Sequence, residues 1–77
     1  MPRITLIVEP DDDSGGWWIC NVAGPTPIDL QSRAVETQAE GQAWCVERAV
    51  AIAAGRPVVV EWRPDERFGA VVADVSI

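Results

Sequence analysis

Thr37-Gln38-Ala39-Glu40-Gly41-Gln42-Ala43-Trp44-Cys45-Val46-Glu47-Arg48-Ala49-Val50-Ala51-Ile52-Ala53-Ala54-Gly55 is the stretch that decides the fold. It opens with a capping box. The Thr37 hydroxyl and the Glu40 carboxylate can each satisfy one of the backbone N–H groups that the first turn leaves without a partner. It is rich in alanine, and it ends at Gly55 with Pro57 just beyond, a pairing that stops helices. Ala39, Ala43, Val46, Val50 and Ala53 recur at helical spacing and are predicted to form the buried stripe. A stripe made mostly of alanine lets a helix sit close against a sheet.

The sheet is read outward from that helix. Arg3 to Glu9 alternates, with Ile4, Leu6 and Val8 on one face and Thr5 and Ile7 on the other, the period of a strand. Pro10 stops it, and the run 11–16 reads as a solvated turn. Trp17 to Ala23, aromatic and β-branched, forms the second strand of a hairpin. Trp17 and Trp18 must then point to opposite faces, one beneath the helix and one outward. Gly24-Pro25-Thr26-Pro27 breaks the chain, and Ile28 to Ala34 suits a third, irregular strand with Ile28 and Leu30 inward. After the helix, Val58 to Trp62 is a strand with Val58, Val60 and Trp62 on the core side. Pro64 to Arg67 is a turn, and Gly69 to Ile77 is the last strand, with Val71, Ala73, Val75 and Ile77 sharing a face. The expected fold is α+β: one helix on an antiparallel sheet of four to five strands, in the order β-β-(β)-α-β-β, as a single domain over residues 1–77.

Composition limits what such a domain does. Twelve carboxylates stand against six arginines for a net charge of −6, and the 77 residues include no histidine, lysine or tyrosine. Direct binding to nucleic acid is disfavoured, because phosphates are repelled. A basic protein partner is favoured, with long-range attraction speeding encounter. Apolar runs fall well short of the ~20 residues of a membrane span, and the N-terminus has no long apolar run, so no signal peptide and a cytoplasmic location are expected. Ser14, Ser32, Ser76 and the two thiols have no histidine or lysine to serve as a base, so the chain is not expected to be an enzyme. Cys20 and Cys45 are read as free apolar fillers in a reducing compartment. They cannot complete a tetrahedral zinc site by themselves, and no cofactor is expected.

Two runs have a catalytic or binding look that fails on spacing. Asp11 and Asp13 echo the start of a calcium loop, but the fifth position is Gly15 and the twelfth is Val22, where a glutamate is needed. Gly15-Gly16 is followed by neither a lysine nor a helix, so it is no phosphate cradle. The glycines supply positive backbone angles to the hairpin.

The candidate site is therefore a docking surface. Trp44 falls opposite the alanine stripe, with Glu40 one turn before it and Glu47 three residues after. An aromatic ringed by Glu36, Glu40 and Glu47 suits the centre of an interface. Asp11, Asp12, Asp13, Asp65 and Glu66 extend the acidic field.

Gly15-Gly16-Trp17-Trp18 after a first strand, followed by Thr37-Gln38-Ala39-Glu40 opening a helix, resembles the HicB-like antitoxin domain over about residues 3 to 63. That family carries alanine where this chain has Gly41. The resemblance implies neutralisation of a small basic RNA-cleaving toxin. In size, charge and lack of catalytic groups the chain also resembles phage anti-CRISPR proteins, which implies a carboxylate surface presented to the basic groove of an effector complex. On either reading the protein is a non-enzymatic inhibitor. A third expectation is an assembly module that dimerises through its last strand, if Val71 to Ile77 is an unprotected sheet edge. A redox role for Cys20 and Cys45 is a further, lesser possibility.

Overall fold

The computed structural model describes residues 3–11, 15–24, 31–65 and 69–76. It contains β1 (Arg3–Pro10), β2 (Trp18–Ala23), β3 (Gln31–Val35), α1 (Gln38–Ala53), β4 (Arg63–Pro64) and β5 (Val71–Ser76). The α+β class and the order of elements along the chain agree with the sequence reading. The five strands form one antiparallel sheet in the spatial order β3-β2-β1-β5-β4, which is not the order of the chain.

Alternation places the core. Ile4, Leu6 and Val8 of β1 lie opposite Val75, Ala73 and Val71 of β5, while Leu6 and Val8 lie opposite Val22 and Cys20 of β2. Residues directly opposite share a face. All of these except half-buried Val71 are fully buried, and α1 lies over β1, β2 and β3. Burying each large aliphatic side chain stabilises the fold by about 1.5–3 kcal/mol. Among the described residues no polar or charged residue is buried, so the layer between helix and sheet is dry and apolar. Trp18 packs against this core and Trp17 stays exposed, dividing the tryptophan pair as β-geometry requires.

The helix begins as its cap dictates: Thr37 is extended and its Oγ1 accepts from the Glu40 N–H at 3.1 Å. Its packed face corrects the expectation. The buried positions are Gly41, Cys45, Ala49 and Ala53, whereas Ala39, Ala43 and Val50 are exposed and Val46 is half-buried. Relative to the predicted stripe the helix is turned by about 100°. Gly41 shows why. A Cβ there would lie 2.8 Å from Cys20 Sγ, 2.8 Å from Val8 Cγ1 and 3.3 Å from Val35 Cγ2. The helix approaches the sheet most closely where it has no side chain, and that contact fixes its rotation.

The helix also stops one residue earlier than expected. Ala54 is the C-cap, in the left-handed region at φ 54, and its N–H donates to the Ala51 carbonyl.

Val58 to Trp62 keeps the predicted alternation, with Val58, Val60 and Trp62 packed on the core and Val59 and Glu61 exposed, but it forms no ladder. Pairing begins only at Arg63 and Pro64, which oppose Val72 and Val71. The last strand is paired with β1 along its whole length and with β4 only at Val71 and Val72, so Ala73 to Ser76 have no ladder partner on the β4 side among the described residues. The third strand covers Gln31–Val35. Ile28, Leu30 and Ile77 lie outside the described residues.

Candidate interaction face

Strand direction brings one set of carboxylates together. In an antiparallel sheet of this order, the C-terminal ends of β1, β3 and β4 point the same way. Asp11 follows β1, Glu36 follows β3 and Asp65 follows β4, so all three leave the sheet at one end. The first turn of α1 begins there too, because Gly41 sits over Val8, Cys20 and Val35, and it carries exposed Glu40. Asp11 and Asp65 are held by their backbones: the Asp11 N–H donates to the Trp17 carbonyl at 2.8 Å, and the Asp65 N–H to the Ala70 carbonyl at 2.8 Å. Asp12, Asp13 and Glu66 adjoin these positions in sequence and lie outside the described residues.

An exposed aromatic shares that end, and it is not the expected one. Trp44 lies one residue, about 100°, from buried Cys45, and it is half-buried with its ring packed on the core cluster. It flanks the packed face instead of standing opposite it. Among the described aromatic residues Trp17, 42% exposed, is the one open to solvent. With Gly15, Gly16 and Glu36 it lines a shallow depression between the hairpin turn and the junction of β3 with α1. Gly15 (φ 65) and Gly16 (φ 111) hold the positive backbone angles this turn was expected to need. The signal for Trp17 was present in the sequence, since one member of the Trp17-Trp18 pair has to face outward. Period alone does not say which.

Glu47 also departs from the group. It sits mid-helix and its Oε1 accepts from Arg48 Nη2 at 3.2 Å, so its charge is locally offset. A second pair lies on the sheet face without the helix. Arg63 Nη2 donates to Asp74 Oδ2 at 3.0 Å and Thr5 Oγ1 donates to Asp74 Oδ1 at 3.1 Å, tying β4, β5 and β1 together. The Arg63 hydrogen bond, helped by Thr5, holds the Asp74 carboxyl below its usual range.

The cysteines meet in the core. Cys20 and Cys45 are free and fully buried, and both belong to the one apolar cluster between helix and sheet. Burial raises both thiols. Cys45 is pushed up to about 12, first by burial and then by the neighbouring Cys20. Cys20 is raised less, because neighbouring Cys45 and the guanidinium of Arg33, directly opposite on β3, favour its thiolate.

Among the described residues no group of three or more histidine, cysteine, aspartate or glutamate side chains is arranged to hold a metal ion, and no helix is long and apolar enough to cross a membrane. The arrangement offers charge and one aromatic surface for docking. No protein family, curated protein or solved structure matches the chain.

Proposed function

We propose that this protein is a non-enzymatic acidic inhibitor that docks on a basic, nucleic-acid-binding surface of a protein partner. The observation that carries the reading is that Asp11, Glu36, Asp65 and Glu40 lie at the end of the sheet that also carries exposed Trp17, with Glu36 beside it. Strand neighbours are ~4.8 Å apart, so carboxylates leaving β3, β1 and β4 recur at roughly 10 Å intervals. That spacing suits a groove of arginines and lysines built to follow a phosphate backbone. Trp17 supplies the aromatic anchor first assigned to Trp44, and a guanidinium can lie on its face while pairing with Glu36. Glu47 contributes at the margin.

The preferred setting is a phage anti-CRISPR protein acting on a CRISPR effector complex. The test is target-DNA binding by guide-loaded effector complexes, read by fluorescence anisotropy with and without the protein. Inhibition that weakens as salt rises, and that falls at least about tenfold in a Glu36→Arg/Asp11→Arg variant, is expected. Equal inhibition by the charge-reversed variant, or none against any complex at low salt, would overturn the reading.

The HicB-like antitoxin setting is the runner-up. It is supported by the hairpin turn at Gly15-Gly16 before Trp17 and by the helix capped by Thr37, the features on which the resemblance rests. Protection of RNA from a small basic RNase toxin distinguishes it. The assembly reading survives only through β3, whose outer edge has no ladder partner among the described residues, or through β5 beyond Val72, where β4 has ended. A concentration-independent monomer in sedimentation removes it.

A further inference from the structure

We propose that Cys20 and Cys45 form a reversible intramolecular disulfide that locks α1 onto β2 when the protein meets a small-molecule disulfide oxidant. This goes beyond the docking role and does not depend on it.

The geometry supports the pairing from both sides. Cys20 points from the middle of β2 into the layer under the helix, and its sulfur lies beneath Gly41, where a Cβ would approach to 2.8 Å. Cys45 is one helical turn beyond Gly41 on the same buried face. The missing side chain at Gly41 brings the helix down on the one strand position that carries a thiol. The two thiols consequently enter one apolar cluster from the two elements that face each other across it. A disulfide between them would join the helix to the strand it already packs on, and disulfides form where the thiols are held close.

The order of events follows from the surroundings. Both sulfurs are fully buried, so the first attack requires local opening of the helix from the sheet. Cys20 is the first nucleophile, because the Arg33 guanidinium stands across the β2–β3 ladder from it and favours its thiolate. Its thiolate attacks one sulfur of an oxidised low-molecular-weight disulfide such as oxidised glutathione and expels one glutathione thiolate. Cys45 then attacks the Cys20 sulfur of the mixed disulfide and expels the second. Two electrons pass from the cysteine pair to the oxidant, and the two thiol protons end on the released glutathione. A reducing thiol reverses both steps.

The experiment equilibrates the full chain with mixtures of reduced and oxidised glutathione. Samples are quenched in acid, alkylated and read by intact mass, with urea unfolding followed in parallel. The expected product has lost the two thiol hydrogens, takes up no alkyl group, carries no glutathione and remains monomeric. Its ratio to the dithiol form is at least about tenfold higher for the native chain than for the same chain in urea, and its urea midpoint rises and returns on reduction. A persistent glutathione adduct, two alkylated thiols under oxidising conditions, or a disulfide form with a lowered urea midpoint overturns the proposal. With single variants, Cys45→Ala should accumulate the adduct at Cys20 several-fold faster than Cys20→Ala does at Cys45. Equal rates would overturn the assigned order, while the wild-type measurements test the bond even if either variant fails to fold. None of these readouts involves an effector or a toxin, so this proposal and the docking reading fail separately.

Discussion

Two apolar stripes run along α1, and only one of them is core. The inner stripe, Gly41-Cys45-Ala49-Ala53, lies on the sheet, while the outer one, Ala39-Ala43-Val50, faces solvent with Val46 at its border and Val50 half exposed. Hydrophobicity does not separate them; the outer stripe is as apolar as the inner. What separates them is shape. The inner stripe carries the residue without a side chain at the point where Val8, Cys20 and Val35 rise toward the helix. A small helix on a small sheet is seated by its closest approach as much as by its greasiest face.

The sharpest way to break this comparison is to fill the contact point. Gly41→Val should destabilise the fold by about 3 kcal/mol or more, because branched carbons must displace Cys20 and Val8 from a packed layer. Ala43→Val on the outer stripe should change the unfolding free energy from urea titration by no more than about 0.5 kcal/mol. Comparable losses at the two positions would mean that the helix is seated on its other face.

Alkaline unfolding probes the same asymmetry through protons. The Cys45 thiol is raised from its ordinary 9.0 to about 12 in the folded chain. A group whose folded value is raised stabilises fully below its unfolded value and loses that contribution as pH climbs toward the folded one. Reduced protein should therefore be steady up to about pH 9 and lose stability between there and about pH 12, by on the order of a few kcal/mol. Cys45→Ala should flatten that part of the profile. A thiol moved outward, Val50→Cys in the Cys45→Ala background, should not restore it and should react readily with thiol reagents.

Smaller effects sharpen the picture. Thr37→Ala removes the hydroxyl that accepts from the Glu40 N–H and should cost about 1 kcal/mol, read as a lower thermal midpoint with the helical signal otherwise retained. Val50→Gln should be close to neutral, within about 0.5 kcal/mol, because the side chain it replaces is 50% exposed.

Much of the fold was legible because it rests on local signals. Alternation in Arg3 to Glu9 named the buried residues of β1, the Thr37–Glu40 pair marked the start of the helix, and the alternation of Val58 to Trp62 chose the packed side even though no ladder forms. The helix rotation was hidden, since an alanine-rich segment carries two stripes of equal appearance and Gly41 reads as a weak helix residue until the surface beneath it is known. The place of β5 was hidden for another reason. Chain order says nothing about which strand pairs with β1, and it is the last strand that does so along its whole length, with β4 covering only its start.

The candidate face was half legible. The acidic residues could be named, but their convergence depends on β1, β3 and β4 ending at one side, a property of topology. Trp44 was misplaced by the same rotation that misassigned the stripe, and Trp17 took the exposed position.

The alanine that closes the helix has a bearing on how far this chain stands from its own ceiling. Ala54 holds a backbone angle that its methyl group resists and that the following Gly55 accepts freely. The terminus thus retains a small unrelaxed tension, on the order of 1 kcal/mol, that a single Ala54→Gly exchange can release without touching the core or the charged end. For a domain this small such a reserve is a sizeable share of the whole folding free energy, and it leaves room to absorb a costly substitution elsewhere.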